Sequence, residues 1–209
     1  RTDADIVVAG YEDYYEESDR TEPHPWMDCN DFIAQQLGEV SFSHYSAFLF
    51  RREFVADIPH RQEFALRDDR LFVLEAAIKG LERARRDCGI IAQVIVCALR
   101  TLPPSSSMEM ARLAVDFRGS GVVGFDLAGA EHGNPASAHK QAFDHALAHD
   151  LPCTCHAGEG DGAGSVRDAV HSCNATRIGH GTRLIEDAAL TDFVNDRRIT
   201  VEACLTSNV

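Results

Sequence analysis

Several polar residues stand at the ends of apolar runs in this chain, where side chains able to do chemistry would share one edge of a sheet. Asp126 closes the run that begins at Val122. His156 and, three residues on, Glu159 follow a run that begins at Pro152. His180 follows the stretch from Ala175, and Thr206, Ser207 and Asn208 follow the one from Ile199. Glycine is dense at the same places (Gly129, Gly158, Gly179, Gly181), and a small residue there lets a ligand or a backbone approach closely. A single His at such a point reads as packing, whereas two His, a Glu and several Gly at successive points read as a site. Imidazole is the commonest zinc ligand, and a catalytic zinc keeps one position open for water and lowers its pKa to about 7. Glu159 would stand beside such a metal as proton donor or acceptor, and His180 as a second ligand or a general base. Taken alone, these residues suit metal-assisted hydrolysis. Asp126 reads as a buried structural carboxylate beneath them.

The elements that must position these residues follow from periodicity. Runs starting at 93, 122, 152, 175 and 199 have strand length and are apolar throughout, as in a parallel sheet buried on both faces. Helices are expected before and between them. The first carries Leu71, Leu74, Ile78 and Leu81 and stops at Gly89. The second starts from Ser105 as N-cap and runs through Met108, Ala111 and Val115. Others lie around Phe143 and Leu147, near Val166 to Val170, and from Ala188 to Val194. This alternation gives an α/β fold, either doubly wound or a (β/α) barrel. No G-x-G-x-x-G follows a strand and no G-x-x-x-x-G-K-[ST] occurs, which favours the barrel, whose strand ends meet on one chemical face. Residues 1 to 66 read as a separate, divergent acidic segment, with a short helix expected at Asp31 to Leu37 and a strand at Val40 to Phe50. Residues 67 to 209 read as the barrel-type domain.

Four motifs carry a resemblance. Val123-Gly-Phe-Asp-Leu-Ala-Gly-Ala-Glu131, Cys155-His-Ala-Gly-Glu159, Arg177-Ile-Gly-His-Gly181 and Val201-Glu-Ala-Cys-Leu-Thr-Ser-Asn208 resemble, in order and spacing, successive strand-end motifs of the adenosine deaminase family, over about residues 71 to 209. The resemblance implies an incomplete (β/α)8 TIM-type barrel in which about strands 3 to 7 are recognisable. It also implies zinc-dependent hydrolysis of the 6-amino group of adenosine or deoxyadenosine to inosine or deoxyinosine and ammonia. Carried over by position, it makes His156 a zinc ligand and Glu159 the acid that protonates purine N1. His180 becomes the partner of the attacking hydroxide, and the Gly129 N–H a donor to purine N3. Gly179 in R-I-G-H-G and the D-L-A-G-x-E form point to a nucleoside rather than free adenine.

The same resemblance implies ligands that this chain lacks. The family carries a His-x-His pair on its first strand and paired aspartates on its eighth. No His-x-His occurs here, and the sequence reaches Val209 directly after the seventh-strand motif. The expectation is that this polypeptide alone is inactive. The alternatives are another purine aminohydrolase of the same superfamily or a catalytically dead barrel fragment.

Composition bounds the rest. The 209 residues carry 20 Lys+Arg and 33 Asp+Glu, a formal charge of −13, and residues 1 to 70 hold 16 of the acids against 7 bases. That balance argues against a nucleic-acid backbone binder and leaves a small metabolite open, which the resemblance makes a purine nucleoside. No apolar run approaches the ~20 residues of a membrane helix, and no signal peptide is visible. The seven cysteines are odd in number, lack any C-x-x-C and read as reduced thiols of a cytoplasmic protein, Cys153 and Cys155 packing on one side of a strand. His145 and His149 lie four apart on one helix without the Glu of H-E-x-x-H, and read as exposed mid-helix surface.

Overall fold

Residues 6–8, 11–15, 20–24, 48–50, 56–58, 68–205 and 208 are described by the computed structural model. They fall into two units, Arg1–Lys79 and Gly80–Val209, the division lying inside a helix. In the first unit, β1 (Ile6–Val8) and β2 (Tyr11–Tyr15) are followed by β3 (Arg20–His24) and β4 (Phe48–Phe50). β1 pairs antiparallel with β4, and β2 with β3. The expected strand at Val40 to Phe50 is observed over its last three residues. Its earlier part and the expected helix at Asp31 to Leu37 lie outside the described residues. Helix α1 (Asp68–Cys88) buries Leu71 and Leu74, with Ile78 and Leu81 half-buried. It ends where Gly89 takes φ +70° and its N–H reaches back to the Arg85 carbonyl at 3.0 Å. That is the left-handed glycine stop expected from sequence.

The second unit alternates strand and helix. β5 (Val94–Leu99) leads to α2 (Pro104–Asp116), β6 (Val122–Ala128) to α3 (Lys140–Ala148), β7 (Cys153–Ala157) to α4 (Ala163–His171), and β8 (Arg177–His180) to α5 (Ala188–Asp196), before β9 (Thr200–Glu202). All four pairings are parallel, and the strands lie side by side in sequence order, β5-β6-β7-β8-β9. A doubly wound sheet reverses direction at its switch point; this order does not, and it is that of five consecutive strands of a (β/α) barrel. One expectation is corrected. Helix α2 is capped at Pro103, with Pro104 in its first turn and no side-chain cap bond, so Ser105 is not the N-cap. Proline at the first helical position loses no hydrogen bond there and is already set at a helical φ.

Strand register sorts side chains onto two faces. Leu127, Cys155 and Ile178 align on the helix side, and all three are buried. Phe125 meets Phe143 of α3 edge to face at 5.3 Å, both fully buried. Ala111 and Ala114 of α2 and Ala169 of α4 are small enough to bring their helices close to the sheet, and all are fully buried. Cys153 and Cys155 belong to this layer, where burial pushes the Cys153 thiol up to about 12, so they are packing groups as expected. The opposite face carries a row of Cys97, Asp126, Thr154, Arg177 and Thr200. One step nearer the C-terminal ends lies a second row, His156, Gly179 and Glu202.

Candidate active site

The C-terminal ends of β7 and β8 bring His156, Glu159 and His180 together. The His156 ring points into the face opposite the helices. Its Nδ1 lies 3.2 Å from Oδ1 of Asp126, one strand away. Asp126 is buried, and the same oxygen accepts the Leu127 N–H at 2.7 Å, which fixes the carboxylate. Its hydrogen bond to the imidazole raises the His156 pKa above the ordinary value, against the opposing effect of burial. The ring can sit here because residue 179 on β8 is glycine. A Cβ at that position would stand 2.8 Å from Cγ of His156 and 2.9 Å from Cδ2, closer than any real contact.

His180 reaches the site by a different route. Strand alternation pairs it with Ala157, which is buried, and would send its side chain to the helix side. Instead His180 adopts φ +65°, and its ring stands 5.3 Å from that of His156, tilted by 63°. A left-handed conformation costs a non-glycine residue roughly 1–2 kcal/mol, and such strain tends to collect at functional sites. Two groups face Nδ1 of His180: the Asn208 amide nitrogen at 2.9 Å and Oε1 of Glu159 at 3.3 Å. The Asn208 side-chain oxygen, Oδ1, accepts the Cys204 N–H at 2.9 Å, so its NH2 end is the one turned to His180. With Nδ1 accepting from Asn208, the neutral ring carries its proton on Nε2. A protonated ring would instead donate from Nδ1 to Glu159.

Glu159 projects from the loop after β7 and is partly exposed. Its backbone is held from beneath by a residue that the sequence alone did not single out for a role. Glu131 is buried and accepts the N–H groups of Gly158, Glu159 and Gly160 at 2.8, 2.8 and 3.0 Å, and the Ser165 hydroxyl at 2.5 Å. Burial alone would raise its pKa; the hydroxyl and the three N–H groups outweigh that and hold it below the ordinary range. Arg100 and His139 also went unrecognised. Arg100, at the end of β5 and 2% exposed, donates to the His156 carbonyl oxygen and to the Asn134 carbonyl at 3.4 Å. His139, buried, joins the Ser107 hydroxyl at 2.7 Å to the Arg100 carbonyl at 3.1 Å. Ser107 thereby supports a strand end.

The remaining candidates separate from the cluster. Gly129 lies exposed past the end of β6 with φ +104°, against Arg100, and no described contact joins it directly to the three side chains. Thr206 and Ser207 lie outside the described residues. The His145 and His149 rings lie 4.5 Å apart, tilted by 47°, but His149 is the residue after α3 rather than mid-helix, and its Nδ1 bonds the His145 carbonyl at 2.8 Å.

A metal can be tested against this donor set. With Nδ1 anchored on a carboxylate, His156 has the orientation of a ligating imidazole. Among the described residues, however, no three His, Cys, Asp or Glu side chains converge on one point. These residues offer one prepared ligand and not a complete centre.

Comparison with known proteins places this geometry. The family model described as "Adenosine deaminase" matches residues 64–209. A Dictyostelium discoideum protein named "Probable adenosine deaminase" is 41% identical over 136 residues, covering 65% of this chain and 18% of that protein. An amidohydrolase from Burkholderia ambifaria, solved with bound Zn, superposes with a TM-score of 0.63 at 25% identity, covering 66% of this chain and 38% of that one. Arabidopsis ADAL, solved in complex with IMP, gives 0.58 at 30%, covering 66% and 42%. The chain thus spans less than half the length of each. The match contains every residue of the His156–Glu159–His180 cluster, together with the Asp126 and Glu131 that hold it, and the chain belongs to the adenosine deaminase family.

Proposed function

We propose that the protein to which this chain contributes is a purine nucleoside deaminase, which converts adenosine or deoxyadenosine and water to inosine or deoxyinosine and ammonia. The observation that carries this reading is the meeting of Glu159 and two imidazoles at two adjacent strand ends of a family-matched barrel face. In the proposed reaction water adds to C6 of the purine, Glu159 gives a proton to N1, and His180 takes the proton leaving the water. The C6–N6 bond then breaks as the amine takes the proton back from His180 and leaves as ammonia, while the C6 hydroxyl gives its proton to the Glu159 carboxylate and becomes the carbonyl. The Gly129 N–H is assigned to purine N3. Zinc is the proposed metal of the whole protein, with His156 as one ligand. Because the other ligands are not among the described residues, this chain alone is proposed to be inactive.

Another purine aminohydrolase is the second reading, and the IMP held by Arabidopsis ADAL is the observation in its favour. The test is a chimera in which residues 64–209 replace the matching segment of a zinc-bearing relative. It would be assayed for ammonia release from adenosine, deoxyadenosine, adenine, AMP and an N6-modified adenosine. The proposal expects the two nucleosides to be preferred. Preference for AMP or adenine would overturn it in favour of the second reading. A cytoplasmic setting is proposed on the free thiols of the six described cysteines. Among the described residues no helix is long and apolar enough to cross a membrane.

A further inference from the structure

We propose that Glu131 is the positioning residue of this site, setting where the Glu159 carboxyl stands by gripping the backbone on either side of it. The inference rests on the deaminase reading for the importance of Glu159, but its physical content belongs to this chain alone. Gly158 takes φ +76°, and the chain bends through residues 158–161 before α4 begins. A left-handed residue followed by a bend turns successive N–H groups to one side, which makes an anion-binding concavity. Here the anion is the chain's own: the Glu131 carboxylate receives three consecutive N–H groups, and the Ser165 hydroxyl from the first turn of α4.

The grip is tight because both carboxylate oxygens are used. Oε1 takes residues 159 and 160, and Oε2 takes residue 158 and Ser165. From the other side, the Gly158 carbonyl accepts the Arg183 N–H at 3.0 Å and the Thr182 hydroxyl at 2.6 Å, tying the loop to the segment after His180. Side chains cannot replace the glycine at 158, since a Cβ would lie 2.6 Å from Cγ2 of Val166. The outcome is one peptide orientation at residue 159, which places Oε1 of Glu159 at 3.3 Å from His180 Nδ1. Glu131 itself reaches neither His156 nor His180 by any described contact, so it acts through Glu159.

The test is made on the full 209-residue chain without substrate, so that its result is independent of whether the protein deaminates purines. Glu131→Gln keeps the shape but places an NH2 against the N–H groups. Ser165→Ala removes one donor and leaves the three N–H contacts. Amide exchange at residues 158–160 and the ring nitrogen shifts of His180 are read by NMR. In E131Q the three amides are expected to exchange about tenfold faster or more, as for loss of about one charge-assisted hydrogen bond. The His180 Nδ1 shift should move as Glu159 withdraws, while distant amides in β5 keep their protection. S165A should leave His180 unchanged. Should E131Q lower protection throughout the second unit without a change concentrated at 158–160 and His180, Glu131 is a stabilising residue only and the proposal is overturned. Unchanged amides and an unchanged His180 shift overturn it equally.

Discussion

Substituting Gly179 by Ala tests how the site is packed. The added Cβ would meet Cγ, Cδ2 and Nδ1 of His156 at 2.8, 2.9 and 3.0 Å, where carbon contacts ordinarily rest at about 3.5–4.0 Å. Because Cγ is the first ring atom, a small swing of the ring tip gives no relief. Either χ1 of His156 rotates, breaking the 3.2 Å contact with Asp126, or β8 draws back from β7 at the Gly179–His156 step of the ladder. Overpacking of this kind costs about 1–3 kcal/mol. The lost hydrogen bond adds about 0.5–1.5 kcal/mol, while the lower chain entropy of Ala recovers about 0.4–1 kcal/mol. A net of about 1–3 kcal/mol corresponds to a fall in Tm of about 2–12 °C for a chain of this size.

The same substitution has a pH signature with a defined sign. Asp126 raises the His156 pKa in the folded chain. The Asp126–His156 pair therefore stabilises fully below the unfolded value of about 6.5, and that contribution is lost as pH rises through the folded pKa. The Tm gap between the parent chain and G179A should be wider at about pH 5.5 than at about pH 8.5, because the charged part of the Asp126–His156 bond fades as pH rises. Thermal unfolding by circular dichroism, with an NMR titration of His156, reads both effects. Equal melting of the two chains within about 1 °C at both pH values, with His156 titrating unchanged, would refute the argument.

Further predictions address the supports and the metal. Burial lowers the pKa of His139, so the fold keeps it neutral. Stability is full above about 6.5 and falls as pH drops through the folded value. His139→Phe should flatten that acid-side slope while losing about 1–3 kcal/mol through the unpaired Ser107 hydroxyl and Arg100 carbonyl; denaturant unfolding across pH reads both, and an unaltered slope counts against it. Glu131, with its lowered folded pKa, contributes stability above about 4.5 that is lost as pH falls further, a loss E131Q should not show in acid titration of Tm. Calorimetric titration of this chain with zinc should show no tight stoichiometric site, since one His does not hold a catalytic zinc; tight one-to-one binding with turnover of adenosine would contradict the incomplete donor set.

Much of this architecture was readable in the residues themselves. The five apolar runs are the five strands, to within two residues at their starts, because a parallel sheet covered by helices needs unbroken apolar segments. His156 was readable as a site residue by its place at the end of a strand. His180 was readable by motif but not by geometry: alternation assigns it to the helix side, and only its left-handed backbone turns it toward His156. The start of α2 was misread because Ser105 and Pro104 both satisfy helix-start rules, and the proline prevailed. Glu131 was present in a quoted motif, yet nothing local marks its role. Its donors lie 27 to 34 residues further on, and they converge only once β6 and β7 lie side by side. Arg100 likewise looks like a surface residue after a strand, while its partner, the His156 carbonyl, is 56 positions away.

The central claim is that Glu159, at the strand ends shared with His156 and His180, supplies the proton for purine deamination. It is tested most directly by adding Glu159→Gln to the chimera that carries residues 64–209 and bound zinc, and measuring single-turnover release of inosine from adenosine in heavy-oxygen water. The account predicts one labelled oxygen in each inosine, and a rate about 100- to 10,000-fold slower in E159Q with zinc content and melting unchanged. A folded, zinc-loaded E159Q chimera that releases inosine at the parent rate would contradict it.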